Sequence, residues 1–281
     1  MFALMTDSTS DLTPQAARQY GIHVQPLTVQ LGGRSFLDWE EIDPDAVYDH
    51  LRRGGHAESA PAPAAALAAR YRQLLETHEQ VVSVHLSSDL SETVEHARAA
   101  AASLPDPSRV IVVDSRLATA PLAEVVLAAA EARARGQSAA EMEAVIHATR
   151  QEMLAEFSVA TLAYLRRSGR LSRAAELVGN VLNVRPVLHF DNGRFGVLRR
   201  TREDQTAQSM LDDLRRKYGS EPVIAAIAHA GRDPARISQL HAQLKRSGLN
   251  IRQGRIFLLG PAIGVHVGPG TYGVLARPFH G

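Results

Sequence analysis

The stretch VVSVHLSSDLSETVEHA, residues 81–97, decides the fold class. Its first six residues form a compact apolar run without strict alternation, a pattern typical of a strand that is buried on both faces of a parallel sheet. The run leads directly into a loop rich in serine and aspartate, and a helical segment follows. Residues 110–113 form a second run of the same kind, and the helical segments between and after the two runs fit crossover connections. The sequence therefore predicts an α/β protein.

Length and element order predict two domains. The chain has 281 residues, which is more than one hydrophobic core usually serves. Residues 138–156 are predicted as a helix and residues 157–163 as a strand that opens a second unit, so the expected domains are 1–156 and 157–281. In the second unit Asn192 and Gly193 separate two strand-like runs, and this dipeptide favours a β-hairpin because both residues tolerate positive φ. We expect a mainly parallel sheet in the N-terminal domain and a mixed α/β C-terminal domain with a hairpin.

Two further segments of the N-terminal half carry structural predictions. Residues 22–31 alternate well enough to be predicted as one strand, which Gly32 and Gly33 can turn back. Residues 59–63 are rich in proline and alanine, and are predicted as a connection into a helix that runs through Tyr71.

Composition narrows the classes of function. The formal net charge is +1 and most basic residues are scattered, so a surface for nucleic acid is not indicated. The chain has no cysteine, which excludes thiolate nucleophiles and is compatible with a reducing cytosol. The N-terminus lacks a signal-peptide pattern and no apolar run approaches the roughly 20 residues of a membrane helix, so we expect a cytoplasmic protein without stable membrane insertion. Histidines with metal-type spacing and common nucleotide or hydrolase motifs are absent, and we expect neither metal nor cofactor.

Three polar loops follow strand-like runs and precede helices, at residues 6–11, 86–91 and 114–115. Ligands of open α/β sheets bind beyond the carboxyl ends of the strands, which makes these loops candidates for a site. Each loop also has an ordinary explanation, because serine, threonine and aspartate are preferred at helix N-caps. The pair Ser87 and Ser88 is less easily explained as a cap, since one hydroxyl is enough for that purpose.

The C-terminal segment GPAIGVHVGPGT, residues 260–271, is the other unusual feature. So many glycines and prolines predict an unusual backbone path, which would hold the ring of His266 in a fixed position. A single histidine between valines is also compatible with a satisfied interior group, and the residues alone leave both interpretations open.

Taken together, these motifs resemble those of the DegV family in order and spacing. The matching segments are TDSTSDL at 6–12, LSSDLSETVEHA at 86–97, VVDS at 112–115, SGRLS at 168–172, RPVLHFDNG at 185–193 and HVGPGTYG at 266–273. The resemblance implies a two-domain DegV-like fold with a long-chain fatty acid buried between the domains. It also implies a carrier that presents the carboxylate to a partner fatty acid kinase and catalyses no reaction itself.

The resemblance further implies which residues contact the carboxylate. The second serine of the family's pair falls on Ser88, with Ser87 beside it, and the family's histidine falls on His266. The loop that carries the family's carboxylate-facing threonine differs here. Ser59 replaces the threonine if the register of the following helix is kept, whereas a shift of one residue would put Glu58 there. A glutamate would place like charges together, and we favour Ser59.

Other residues extend or challenge this assignment. Arg170 and Arg202 match basic positions of the family and are candidates for the surface that a kinase would contact. Glu92 replaces a glycine at the start of a helix, which could restrict the ligand.

The alternative function is a serine-dependent acyl hydrolase or transferase, with Ser88 as nucleophile and His266 as base.

Overall fold

The first sheet has four parallel strands. The computed structural model describes residues 1–172 and 184–280. The strands are β1 (Phe2–Asp7), β2 (Ile22–Gln25), β6 (Gln80–His85) and β7 (Val110–Asp114). They pair in the order β2-β1-β6-β7, and helices α1 (Pro14–Gln19), α3 (Ala64–Leu75), α4 (Thr93–Ala102) and α5 (Thr119–Ala134) alternate with them. The predicted parallel sheet is confirmed.

A small antiparallel sheet interrupts this pattern and corrects two predictions. Its strands are β3 (Thr28–Leu31), β4 (Arg34–Leu37) and β5 (Ala57–Ala60), and helix α2 (Pro44–Arg52) lies between the last two. The single strand predicted at residues 22–31 is wrong. Pro26 has no N–H for a ladder, and the chain leaves the first sheet there. Strand β5 was missed because its alanines and flanking prolines carry little strand propensity, and its pairing with β3 places Ser59 opposite Val29.

The second sheet is mixed and has six strands. They are β8 (Leu154–Ser158), β9 (Val184–Asp191), β10 (Arg194–Arg202), β11 (Pro222–His229), β12 (Asn250–Leu258) and β13 (Tyr272–Pro278), in the order β10-β9-β8-β13-β11-β12. The accompanying helices are α6 (Met142–Glu152), α7 (Ala163–Arg167), α8 (Thr206–Tyr218), α9 (Pro234–Arg246) and α10 (Pro261–Val267). Asn192 and Gly193 have φ of 47° and 85° and join β9 to β10. The predicted hairpin is confirmed.

The connection between α6 and β8 differs from the prediction. The helix predicted to end at residue 156 ends at Glu152, and Met153 already has an extended backbone. Residues 154–158 pair with β13 instead, because the partner strand supplies a ladder that outweighs the helical pattern of the sequence. The predicted domain boundary at 156/157 therefore falls within strand β8, and the division into two domains stays a prediction.

Helix α5 connects the two large sheets. Apolar residues lie on all of its sides and 12 of its 16 residues are buried, as expected for a helix in the middle of a core. One hydrophobic cluster contains Leu4 of β1, Val126 of α5 and Leu275 of β13. The buried carboxylate of Glu124 pairs with Arg255 at 2.7 Å and with Arg277 at 2.9 Å. These contacts hold the two sheets in one arrangement, and a cavity lies where their polar loops meet.

Candidate ligand-binding site

A cavity of about 480 Å³ lies beyond the carboxyl ends of β1 and β6. Thr9 follows β1, and residues 86–92 follow β6. Strand β5, the start of β10 and one face of helix α10 complete the wall. The cavity therefore occupies the position expected for a ligand of a parallel α/β sheet.

Ser59 and His266 form a hydrogen-bonded pair in this cavity. The Ser59 hydroxyl and His266 Nε2 are 2.7 Å apart, although 207 positions separate the residues in the chain. Burial, together with the nearby positive charges of Arg170 and Arg167, lowers the pKa of His266 to about 3. The ring is therefore neutral at physiological pH, and it can donate or accept one hydrogen bond at Nε2.

The backbone around His266 differs from the prediction. Residues 261–267 do not follow an irregular path but form helix α10, and His266 lies in its last turn. Pro261 occupies the first helical position, and Gly268, with φ of 74°, ends the helix. The prolines and glycines of this segment are ordinary helix start and stop signals.

Ser88 reaches the same cavity but has a carboxylate partner. Its Oγ donates a hydrogen bond to Asp114 at 2.6 Å, and its backbone N–H approaches the other oxygen of that carboxylate at 3.3 Å. The Arg116 guanidinium lies 3.4 Å from the Ser88 hydroxyl. The proton of the Ser88 hydroxyl is therefore directed at Asp114. A ligand carboxylate would accept a hydrogen bond from Ser88 only if this hydroxyl rotates, and otherwise it would contact the Arg116 guanidinium.

Other predicted site residues are placed differently. The Ser87 side chain is fully buried outside the lining of the cavity, and its hydroxyl accepts the Asp89 N–H at 3.2 Å. Glu58 is exposed and pairs with His56 at 2.9 Å, so Ser59 and not Glu58 faces the cavity. Arg202 is exposed at the end of β10 and lines a separate surface cleft. The roles of all these residues in ligand binding stay predictions.

The rim of the cavity carries both signs of charge. Arg170 and Glu92 line it, and Glu92 is exposed. The Arg170 guanidinium donates to the carbonyls of Ser168 and Leu90. It is half-buried without a hydrogen-bonded carboxylate among the residues that the structure describes. Arg170 is therefore a cation in the cavity wall whose charge acts on His266.

A narrow apolar slot adjoins the cavity. Phe195, Ile263 and Val267 line both spaces. The slot has a volume of about 40 Å³ and runs between α10 and the small-residue face of the second sheet, where Gly273 is paired with Phe157. The rings of residues 157, 190 and 195 form a cluster with centroid separations of 5.2–6.4 Å along its wall. A polar cavity thus lies beside an apolar slot.

Sequence reasoning missed Arg116 and the residues of the slot. Arg116 directly follows the predicted polar loop at 114–115, but its contacts lie 28 and 76 residues away in the chain. A residue-by-residue pattern contains no signal for such distant contacts. Within residues 1–172 and 184–280, no group of three or more metal-ligating side chains is suited to hold a metal ion. No helix in the same part of the chain is long and apolar enough to cross a membrane.

Fold and site together define an α/β protein in which polar loops line a cavity beside an internal apolar slot. The chain belongs to the DegV family, since the model of that family, described as an uncharacterised protein family, matches residues 1–278. A DegV domain-containing protein from Deinococcus radiodurans is 34% identical over 280 residues, covering 98% of each chain. The predicted family membership is confirmed.

Solved structures agree with this assignment. A DegV family protein from Thermus thermophilus, described as fatty acid binding, is 35% identical with a TM-score of 0.92, and 99% of each chain is covered. DegV of Bacillus subtilis, described as a fatty acid binding protein, is 27% identical with a TM-score of 0.86 and the same coverage. The predicted fold class is confirmed.

Proposed function

We propose that this protein binds a long-chain fatty acid, with the carboxylate in the polar cavity and the tail in the apolar slot. The observation that carries the proposal is that the polar cavity adjoins the apolar slot, since Phe195, Ile263 and Val267 line both. An amphipathic ligand with one anionic end and a long unbranched tail matches such a site. The fatty acids bound by the relatives from T. thermophilus and B. subtilis support the same ligand class.

The polar cavity contains the groups that a buried carboxylate needs. A buried charge without partners costs several kcal/mol, so each carboxylate oxygen must receive hydrogen bonds. The hydroxyls of Ser59 and Ser88 and the neutral ring of His266 can supply them. Because His266 is neutral, the compensating charge comes from Arg170. Removing the tail from water supplies most of the driving force, about 0.8 kcal/mol for each methylene.

We further propose that the protein is a cytoplasmic carrier that presents the bound carboxylate to a fatty acid kinase and makes no bonds itself. Arg170 at the rim of the cavity is suited to face an incoming phosphoryl donor, because guanidinium groups bind phosphate oxygens in a bidentate manner. Arg202 is exposed away from the cavity and would belong to a surface that contacts the partner.

The geometry favours carriage over acyl hydrolysis. In the alternative, Ser88 would be activated by His266, but the Ser88 hydroxyl donates to Asp114, and His266 is bonded to Ser59. Within the described part of the chain no carboxylate is hydrogen-bonded to the ring of His266, so the third member of a triad is missing. We expect no covalent labelling of Ser88 by a serine-reactive phosphonate. Stoichiometric labelling would favour the hydrolase.

Protein purified from a bacterial host is expected to contain fatty acid at close to one molecule per chain. The reason is that a tail enclosed in the slot exchanges slowly with water. Solvent extraction followed by mass spectrometry measures both the amount and the chain length. Folded protein that contains no lipid and does not take up added oleate would contradict the proposed function.

A further inference from the structure

Arg116 joins two distant segments of the site. Its guanidinium pairs with the carboxylate of Asp89, lies 3.4 Å from the Ser88 hydroxyl and donates to the carbonyl of Asn192. The first two residues belong to the loop after β6, which we call the serine loop (residues 86–91). Asn192 belongs to the turn of the β9–β10 hairpin, which we call the hairpin tip (residues 191–194).

The backbone conformation of Arg116 directs its side chain towards the contact between the serine loop and the hairpin tip. Arg116 has φ of 60°, a left-handed conformation that non-glycine residues seldom adopt. Asp114 holds it there by accepting the Arg116 N–H at 2.9 Å, with the same carboxylate that accepts the Ser88 hydroxyl. An unfavourable conformation that is held by specific hydrogen bonds is a recurrent feature of functional sites.

The hairpin tip lies next to the wall of the apolar slot. Phe190 and Phe195 flank the tip, and both line the slot. The backbone of Phe195 also exchanges hydrogen bonds with Arg170 and Ser172, at 3.2 and 2.9 Å. A movement of the tip would therefore shift the slot wall and the cation beside His266 together.

A long acyl chain cannot occupy the slot without such a movement. A volume of about 40 Å³ has room for only a few water molecules. The aromatic wall must therefore move apart when a tail enters or leaves. Gly193 packs against Ser87 and Arg116 so closely that a side chain at this position would collide with both. The contact between tip and serine loop is thus close, and Arg116 is at its centre.

We infer that Arg116 is a positioning residue that fastens the hairpin tip to the serine loop and thereby slows release of the ligand. This inference rests on the proposed fatty acid site. Arg116 pairs with Asp89 from one side, while Arg194 of the hairpin approaches the other oxygen of Asp89 at 3.7 Å. The Arg116 side chain is 34% exposed, and ion pairs at this exposure contribute little to global stability. Its removal should loosen the tip without unfolding the protein.

The test compares R116Q with R52Q. Arg52 forms an ion pair with Asp49 at 2.7 Å, outside the lining of the cavity and the slot. Release of a fluorescent fatty acid, followed by stopped flow, is expected to be about tenfold faster from R116Q and nearly unchanged in R52Q, since most effects of such contacts are on dissociation. R116K keeps the charge but lacks the forked guanidinium donor, so its release rate should lie between those of wild type and R116Q. Unchanged release from R116Q, or equal acceleration in R52Q, would overturn the inference.

A second measurement is independent of lipid binding. In lipid-free protein, amide hydrogen exchange at residues 190–195 is expected to be faster in R116Q than in wild type, because the hairpin tip loses its contacts with Arg116. Exchange that does not differ from wild type would refute the fastening role even if the protein binds fatty acid. Faster exchange in a protein that binds none would instead contradict the proposed function alone.

Discussion

Replacing Ser88 and His266 together by alanine is expected to lower the affinity for a long-chain fatty acid at least about 100-fold while the fold is retained. A hydrogen bond to a charged group contributes roughly 1.5–3 kcal/mol, and each 1.4 kcal/mol is a factor of ten in the dissociation constant. The double variant removes two groups from the cavity and also leaves Ser59 without its partner. Titration of delipidated protein with labelled oleate measures the effect, and circular dichroism checks the fold.

A matched control separates loss of the head-group contacts from general damage. Ser238 and His241 are both exposed on helix α9, outside the lining of the cavity, so S238A/H241A removes the same two residue types without touching the site. This variant should bind oleate like wild type. Unchanged affinity of S88A/H266A would remove both residues from the carboxylate site, and Ser59, Arg170 and the tail would then account for the binding.

The fold was largely predictable where local signals and the final structure agree. The runs at 81–86 and 110–113 fall on the parallel strands β6 and β7, although Ile111 and Val112 are only partly buried, and Asn192 with Gly193 became the predicted turn. The errors arose where a partner strand decided the outcome. Residues 57–60 became strand β5 through pairing with β3, and residues 154–156 left the predicted helix for strand β8, which pairs with β13.

The site was predictable only as far as single residues carry a signal. Motif matches selected Ser59, Ser87, Ser88 and His266, and all of these except Ser87 line one cavity. No sequence pattern indicated that the hydroxyl of Ser88 is bound by Asp114 or that Arg116 reaches the hairpin. Such contacts depend on how the chain brings distant loops together, which residue spacing does not encode.

Acid is expected to destabilise wild-type protein relative to the variant H266Q. Burial lowers the pKa of His266 to about 3, whereas the histidine of the unfolded chain titrates near its ordinary value of about 6.5. Below pH 6.5 the unfolded state binds a proton that the folded state does not. The contribution of His266 to the free energy of unfolding is therefore complete above pH 6.5 and falls as the pH drops towards 3. Between pH 7 and pH 4 the free energy of unfolding of wild type is expected to fall by roughly 3 kcal/mol relative to that of H266Q.

Urea unfolding of lipid-free wild type and H266Q at several pH values measures this difference. Burial raises the pKa of Asp38 to about 6 and that of Glu156 to about 7, and such raised carboxyls stabilise the fold as the pH falls. Both groups are present in both proteins, so their contributions cancel in the comparison. A difference that is independent of pH would mean that folding does not lower the pKa of His266. The ring would then be protonated below its ordinary pKa of about 6.5, and the assignment of the compensating charge to Arg170 alone would be wrong.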